Sequence, residues 1–255
     1  MAKRIDDFKI LENKRITEEL FILELAGNEM VPEFKPGQFV QVRVDESPGT
    51  FLRRPISIHD VDYKTNTFKL LIQTAGPGTL ALSRVLPGDV LNLVYPLGNS
   101  FSDPLPGERV LLVGGGVGVA PLLFLGKRLL SIGCKADWLL GFRNQERIID
   151  LKEYKSIGEV YLTTEDGSVG EKGYVTNHSI LYESSYDRVC CCGPDPMMKA
   201  VAAYCSKKGI VCEVSLENLM ACGIGICLCC IVCTVNGNVC TCTEGPVFNI
   251  TDLKW

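Results

Sequence analysis

The sequence has 255 residues, 46% hydrophobic and 22% charged, which is enough for two compact domains and a smaller third unit. Its formal net charge of −4 gives no electrostatic reason to bind nucleic acid or an anionic membrane. The first residues, MAKRIDDFKI, contain no apolar signal sequence, so we expect a cytoplasmic protein whose 13 cysteines stay reduced and form no structural disulfides.

Residues 1–100 have the pattern of an antiparallel β-barrel. Short segments rich in β-branched and aromatic residues predict strands at FILEL, GQFVQVRV, RPISIHDV, TFKLLIQ and DVLNLVY. Turns that contain glycine and proline, such as KPGQ, LPGD and PLGN, separate these segments. One helix is expected to interrupt them, at residues 79–85. Strands of this length and spacing favour a barrel, which forms the first predicted domain.

Two elements of the predicted barrel suit a diphosphate. In LRRPISI, the guanidinium of Arg54 can bind phosphate, and the hydroxyl of Ser57 can lie beside a ring or a ribose. In GPGTLALS, Gly78 and Thr79 would open a short helix whose free N–H groups bind phosphate. An isolated R-x-x-S is more often an exposed arginine on an edge strand. The two elements together are more specific than either alone.

Residues 101–212 change to alternating strands and helices, the pattern of a parallel α/β sheet and of a second domain. Strands are expected at RVLLVGG, ADWLLGF, EVYLTT, DRVCCCG and IVCEVS, and helices at APLLFLGKRLLSIG and DPMMKAVAAYCSKKG. The loop VGGGVGVAP contains Gly115, Gly116 and Gly118, whose N–H groups can approach a diphosphate, although G-x-G-x-x-G is not strictly met. A glycine-rich turn here can also serve only tight packing.

The motif CCCGPDPM ends a strand at the carboxyl edge of this sheet, where open α/β sheets bind ligands. Cys192 is a candidate catalytic residue that could lie against a nicotinamide, whereas Cys190 and Cys191 are better explained as buried strand residues. The strand EVYLTT ends in Glu165 and Asp166, whose charges would repel the 2′-phosphate of NADPH. With no arginine cluster evident there, NADH is expected over NADPH.

Residues 213–255 form the third predicted domain and contain seven cysteines. Cys222, Cys227 and Cys230 have the C-x4-C-x2-C spacing of plant-type [2Fe–2S] proteins. The fourth ligand would be Cys240 or Cys242, which the pattern alone does not separate. A zinc site would also use four thiolates, typically in two short-spaced pairs, and C-x-C is a poor second pair.

Other residues of this segment suit a loop around a cluster. Gly223 and Gly225 would let backbone N–H groups approach the sulfur atoms. The side chain of Cys229 should point away from its neighbour Cys230, and extra cysteines such as Cys233 are usually small buried hydrophobic residues.

Together these motifs resemble the ferredoxin-reductase flavoprotein family, in which a flavin-binding barrel precedes a nicotinamide-nucleotide domain. RPIS matches that family's flavin motif, GGVGVAP its nucleotide loop and CGP its nicotinamide-side motif. The tail is more specific, because MACGIGxCxxC followed by CxEGPVF resembles the electron-transfer subunits of NAD-dependent dihydroorotate dehydrogenases. The resemblance covers essentially the whole chain.

The resemblance implies FAD, one [2Fe–2S] cluster and NAD as the electron acceptor, bound at Gly115, Gly116 and Gly118. It chooses Cys242 over Cys240 as the fourth ligand, because Cys242 precedes the EGPVF run. It assigns FAD to two strand segments and a helix start: Arg54, Pro55, Ile56, Ser57, Leu71, Ile72, Gln73, Gly78 and Thr79.

The implied function is an electron relay in de novo pyrimidine (UMP) biosynthesis. A partner subunit carrying FMN would oxidise dihydroorotate, and electrons would pass through the cluster and FAD to NAD+, in a heterotetramer of two copies of each subunit. No general base for dihydroorotate is expected on this chain. Two alternatives stay open, namely a subunit moving electrons between NAD(P)H and ferredoxin or a hydrogenase, and a zinc-stapled flavin-binding module without a redox role.

The cluster loop is also unusually apolar, since Ile224, Ile226, Leu228 and Ile231 surround the ligands. Soluble monomers rarely expose large apolar patches, so this loop is expected to form the docking face for the FMN subunit unless its side chains belong to the core.

Overall fold

The computed structural model describes residues 2–27, 29–45 and 47–255. It contains a closed six-stranded barrel, then a seven-stranded sheet, and a two-stranded hairpin that precedes the last strand of that sheet. The predicted fold class, an antiparallel barrel followed by a parallel-sheet domain and a small carboxy-terminal unit, is confirmed. No helix of the described ranges has both the length and the apolar character needed to cross a membrane.

The barrel has the strand order β1-β2-β5-β4-β3-β6, and neighbouring strands are antiparallel. Its inner side chains form one core in which Phe8 and Phe68 meet edge to face, with ring centroids 5.1 Å apart. The elements are β1 (Arg4–Arg15), β2 (Leu20–Gly27), β3 (Phe39–Val42), β4 (Arg54–Asp62), β5 (Thr67–Gln73), α1 (Pro77–Leu82) and β6 (Val90–Leu97).

Two elements of the barrel differ from the sequence prediction. The longest strand, β1, was not predicted, because among its 12 residues only Phe8 and Ile10 are buried and the rest are mainly charged or polar. Helix α1 begins at Pro77 rather than at residue 79. The Thr79 hydroxyl accepts hydrogen bonds from the N–H groups of Ala75 and Gly76, at 2.8 Å and 3.1 Å, and so closes the turn before the helix.

The second sheet has the order β10-β9-β8-β7-β11-β12-β15, and its strands are parallel except β15. The chain runs outward in one direction from β7 to β10 and then continues on the other side of β7 with β11. Ligands of open α/β sheets bind at such a switch point. The elements are β7 (Arg109–Gly115), α2 (Ala120–Ser131), β8 (Lys135–Phe142), α3 (Lys152–Lys155), β9 (Val160–Thr164), β10 (Glu171–Lys172), α4 (Ile180–Glu183), β11 (Arg188–Cys192), α5 (Asp195–Lys208), β12 (Val211–Ser215), β13 (Ile231–Thr234), β14 (Gly237–Cys240) and β15 (Val247–Asn249).

The carboxy-terminal unit shares a strand with the second domain. The predicted boundary between residues 212 and 213 falls inside β12, whereas the boundary at 100/101 lies in the loop between β6 and β7. Strand β15 pairs with β12, so that Ser215 stands opposite Val247. Because Phe248 and Val247 pack into the cores of the second sheet, we propose that the third unit begins after Ser215.

The barrel is fastened to the first helix of the second domain. His59 on β4 is buried, and its Nδ1 lies 2.8 Å from the carbonyl oxygen of Ala120 in α2. Burial lowers the pKa of His59, which therefore stays neutral at this contact. Nearby, Lys127 of α2 pairs with Asp60 at 2.6 Å. These contacts hold the two ligand-binding domains in a fixed relation.

Candidate functional site

The two phosphate-suited elements of the barrel lie side by side. Arg54 begins β4, and Gly78 lies in α1. A Cβ atom on Gly78 would sit 2.8 Å from Arg54 Nε and 3.2 Å from Thr50 Cγ2, so glycine at residue 78 lets the guanidinium lie close against the helix. The arrangement brings a cation and backbone N–H groups together, as a diphosphate requires.

The other residues of the candidate flavin site lie where β4 and β5 are no longer paired with each other. The pairing of these two strands ends at Ile58 and Leu70, so the first half of β4 is paired only with β3, on its other edge. Leu71 and Ile72 beyond that point are buried in two different cores. Their contribution to a flavin must therefore come from the backbone and not from their side chains.

The predicted nucleotide glycines serve two different purposes. Gly116 has a positive φ of 54°, and a Cβ there would meet nothing within 4 Å, so it leaves the loop open to a ligand. By contrast, a Cβ on Gly118 would overlap the carbonyl oxygen of Cys192, and a Cβ on Gly115 would overlap Met197. The tight-packing interpretation therefore holds at Gly115 and Gly118, whereas nucleotide binding at this loop stays a prediction that the open space at Gly116 supports.

A cavity of about 740 Å³ opens at this edge of the sheet. It is lined by the glycine loop at Gly116, by Thr163 of β9 and by Pro194 of the C-G-P turn. The barrel contributes Leu20 and Gln73 to the same wall. Because Gln73 belongs to the candidate flavin site, a flavin and a nicotinamide would meet inside this cavity.

Cys192 lies next to a carboxyl group that the sequence did not suggest. The Cys192 thiol is buried, and its Sγ lies 3.9 Å from Oε1 of Glu217, which lines the cavity. Burial raises the pKa of Cys192 well above its usual value, so the group is a neutral thiol. The packed surroundings also raise the pKa of Glu217, although its side chain is open to the cavity. Glu217 follows β12, and only the fold brings it to the C-G-P turn.

The charges around the cavity differ from the sequence expectation. Glu165 lines the cavity, as predicted, but Arg143 and Arg147 line it too. Both arginines follow β8, so they lie far from Glu165 in sequence and meet it at the carboxyl edge of the parallel sheet. Arg147 forms an ion pair with Glu19 of the barrel. The fold therefore brings two arginines to the site where the sequence showed no arginine cluster ready for a 2′-phosphate.

Cys222 and Cys227 form the first half of the candidate iron–sulfur site. The N–H group of Cys227 donates to the Sγ atom of Cys222 at 3.4 Å, and the N–H of Cys222 donates to Sγ of Cys227 at 3.5 Å. Burial alone would raise the pKa of Cys222, but the N–H groups of Ile224, Cys227 and Ile226 lower it to about 6. The loop therefore stabilises a thiolate, the form that binds metal.

Cys230 and Cys242 form the second half, under the barrel. Both are buried against Phe39 in one small core, where burial and the neighbouring Cys230 thiol raise the pKa of Cys242. The nearby backbone N–H of Gly225 acts in the opposite direction and lowers the pKa of Cys242, so this residue lies close to the loop that carries Cys222. Cys240 also contacts Cys230, so Cys242 as the fourth ligand stays a prediction that the Gly225 contact supports.

The other two cysteines of the loop region do not match the expected role. Cys229 and Cys233 are both exposed, so the interpretation of extra cysteines as buried filler is wrong for them. That interpretation holds for Cys190 and Cys191, which are buried in β11.

The arrangement of the cysteines fits two irons better than one. Within the described part of the chain, no three His, Cys, Asp or Glu side chains converge as a single metal ion would require. The thiols instead form two pairs, and a [2Fe–2S] cluster bound by four cysteines takes two on each iron. The residues present therefore fit this cofactor.

The EGPVF segment holds Cys242 in place by contacts with the end of β6. Asn99 donates from its amide to the carbonyl oxygens of Glu244 and Val247, at 2.7 Å and 2.8 Å. A Cβ on Gly98 would lie 2.5 Å from Cδ of Pro246, so glycine is needed for the barrel and the segment to touch. Sequence patterns did not single out Asn99, since its partners lie about 145 residues away.

Comparisons with known proteins agree with this arrangement. A family model described as the iron-sulfur cluster binding domain of dihydroorotate dehydrogenase B matches residues 217–254, and the oxidoreductase NAD-binding domain model matches residues 112–203. The dihydroorotate dehydrogenase B (NAD(+)) electron transfer subunit of Clostridium acetobutylicum is 40% identical, over 96% of this chain and 95% of that protein. The subunit of the same name from Shouchella clausii is 36% identical, over 99% of each chain.

A solved structure has the same fold along nearly its whole length. A chain from the NADH-dependent reduced ferredoxin-NADP oxidoreductase structure, a study of flavin-based electron bifurcation, superimposes with a TM-score of 0.88. It is 30% identical and covers 97% of this chain and 90% of the other.

Proposed function

The chain belongs to the family of dihydroorotate dehydrogenase B (NAD(+)) electron transfer subunits, and from this membership we propose how it works with its partner. The partner is an FMN-containing subunit that oxidises dihydroorotate, and this chain passes the electrons through a [2Fe–2S] cluster and FAD to NAD+ in pyrimidine biosynthesis. The observation that carries the proposal is the placement of the three sites. Cys230 and Cys242 pack against Phe39 of β3, the flavin segment lies on the adjacent β4, and Gln73 lines the nucleotide cavity.

The bound cofactors supply the redox chemistry, with single-electron transfer at the cluster and exchange between one- and two-electron steps at the flavin. The chain's own residues bind and orient them. Arg54 and the start of α1 hold the FAD diphosphate, and Gly116 leaves room for the nucleotide at the end of β7. Cys192 and Glu217 lie on the nicotinamide side, with the thiol protonated. No group on this chain needs to take a proton from dihydroorotate.

The proposed assembly is a cytoplasmic heterotetramer with two copies of each subunit. All 13 cysteines are free thiols in the structure, which suits a reducing compartment. Co-purification of the chain with an FMN protein, followed by an assay of NAD+ reduction by dihydroorotate, tests the proposal. A preparation that contains zinc and neither iron nor acid-labile sulfide would contradict it.

A second candidate is electron exchange between NAD(P)H and ferredoxin. The observation in its favour is the 30% identity and near-complete coverage of the chain from the ferredoxin-NADP oxidoreductase structure. The higher identity of the dihydroorotate dehydrogenase subunits favours the first function. Addition of either dihydroorotate with the FMN subunit or reduced ferredoxin to the purified chain would distinguish the two.

We expect Arg54→Ala to weaken FAD binding by roughly 10- to 150-fold. The substitution removes one charge-assisted contact with the diphosphate, worth about 1.5–3 kcal/mol. Flavin fluorescence during titration of the apoprotein measures the change. Arg43→Ala is the control, because Arg43 pairs with Asp45 at 2.8 Å on the surface instead of facing α1. Release of FMN instead of FAD from the purified protein would overturn the assignment.

We expect the wild-type chain to prefer NADH, and Glu165→Ala to improve NADPH use by roughly tenfold, equal to about 1.4 kcal/mol of relieved repulsion. The carboxylate of Glu165 lines the cavity and would repel a 2′-phosphate, whereas Arg143 and Arg147 could pair with that group once the carboxylate is gone. The measurement is kcat/KM for both nucleotides with an artificial dye. Glu159→Ala, just before β9 begins, is the control. Equal kcat/KM for NADH and NADPH in the wild type would refute the preference.

A further inference from the structure

Gln41 on β3 is a buried amide without a partner. Its side chain is 0% exposed, and neither Oε1 nor Nε2 finds a hydrogen-bond partner among the described residues. Its backbone is paired with the neighbouring strands of the barrel, and its carbonyl oxygen also accepts a hydrogen bond from Arg53 at 3.3 Å. Buried amides in native proteins are nearly always hydrogen-bonded, since leaving one unpaired destabilises the fold. The complete protein is therefore expected to supply the partner.

The amide packs against the candidate cluster loop. Gly223 directly follows Cys222, and a Cβ on this glycine would lie 2.8 Å from Gln41 Cγ and 2.9 Å from Nε2. Gly223 also has a positive φ of 68°, a conformation that favours glycine. Two residues earlier on β3, Phe39 packs against Cys230. The outward-facing side chains of β3 thus contact both halves of the cysteine site.

The same strand lies next to the flavin segment. Gln41 is paired with Pro55, and Phe39 with Ser57, both on β4. Gln41 therefore lies between the cysteine loop and the β4 residues that are assigned to FAD.

We infer that Gln41 is a positioning residue of the iron–sulfur site, whose Nε2–H donates a hydrogen bond to sulfur in the assembled centre. The inference rests on the proposed binding of a [2Fe–2S] cluster by this loop. Hydrogen bonds to the sulfur atoms help to set the potential of such clusters. A donor stabilises the reduced state more than the oxidised state, because the reduced cluster carries more negative charge. Gln41 would thus raise the cluster potential relative to a chain without this amide.

The test is a redox titration of the holoprotein followed by electron paramagnetic resonance. In Gln41→Met, the cluster potential should become more negative by roughly 59 mV, which is a tenfold change in the ratio of reduced to oxidised cluster. The control is Gln38→Met, since the amide of this buried glutamine already donates to Gly98 and accepts from Lys35, at 3.2 Å and 2.9 Å. Its cluster potential should equal that of the wild type.

A second measurement needs no stable variant at residue 41. Wild-type protein with 15N in its glutamine side chains should show a hyperfine coupling between the reduced cluster and one amide nitrogen. Gln38→Met should retain this coupling, which assigns it to another glutamine. An intact cluster with no coupling, or an unchanged potential in Gln41→Met, would overturn the inference. A wild-type protein that shows no [2Fe–2S] signal would instead contradict the proposed function.

Discussion

Replacement of Cys222, Cys227, Cys230 or Cys242 by serine should abolish the visible absorption and the paramagnetic signal of the [2Fe–2S] cluster. Each change removes one of four thiolates, and the two pairs leave no spare sulfur on either iron. Electron transfer from the FMN subunit to NAD+ should be lost with the cluster. Reduction of an artificial dye by NADH should persist, because the flavin and nucleotide elements lie on other strands. Iron and acid-labile sulfide analysis gives the direct readout.

The exposed cysteines of the same loop region provide matched controls. Cys229→Ser and Cys233→Ser should retain the cluster, since both thiols are exposed and lie outside the two pairs. Cys240→Ser is the sharpest comparison, because Cys240 contacts Cys230 as Cys242 does. A Cys240→Ser protein without a cluster, together with a Cys242→Ser protein that retains one, would reverse the fourth-ligand assignment.

The parts of the fold that the sequence predicted well are those with a strong local signal. The segments TFKLLIQ and RVLLVGG coincide with β5 and β7 to the residue. Both are short, mainly apolar runs of strand length, as expected of strands that are largely buried on both sides. The polar strand β1 gives no such signal, since Phe8 and Ile10 alone face the core. An alternating strand with two core residues looks like a solvated loop.

The parts of the candidate site that the sequence missed depend on contacts between distant segments. Glu217 reaches Cys192 only after β12 has paired with β11. Arg143 meets Glu165 because parallel strands bring their carboxyl ends to one edge. Gln41 is an ordinary polar residue in a strand until Gly223 covers it. None of these residues belongs to a motif, so only the folded chain identifies them.

The cluster loop presents an apolar face to its surroundings. All four predicted side chains are exposed: Ile226 by 76%, Leu228 by 58%, Ile231 by 40% and Ile224 by 37%. They are therefore not core residues of the free chain. Leu228 also has a positive φ of 56°, which is rare for leucine and is held by the loop between Cys227 and Cys230. An exposed and strained leucine beside a redox centre fits a docking contact.

Leu228→Asp should weaken electron transfer from the FMN subunit to this chain and leave the chain's own reduction of a dye by NADH unchanged. An unpaired charge buried in an interface costs several kcal/mol. The concentration of FMN subunit that gives half-maximal NAD+ reduction by dihydroorotate should therefore rise by roughly tenfold or more. Aspartate adopts a positive φ more readily than leucine, so the loop should keep its shape and its cluster. Dye reduction by NADH should stay at the wild-type rate.

Leu228→Asn separates the effect of charge from that of size, because it is polar but neutral and suits the same backbone conformation. It should weaken coupling less than Leu228→Asp. Tyr182→Asp is the control at a distant site, because Tyr182 is exposed on α4. The hydroxyl of Ser179, just before α4, donates a hydrogen bond to Glu171 of β10. Strand β10 lies at the opposite edge of the sheet from β15. Equal losses of coupling in Leu228→Asp and Tyr182→Asp would show that the cluster loop is not the docking face. Oxidation of dihydroorotate by the isolated chain would remove the need for a docked partner altogether.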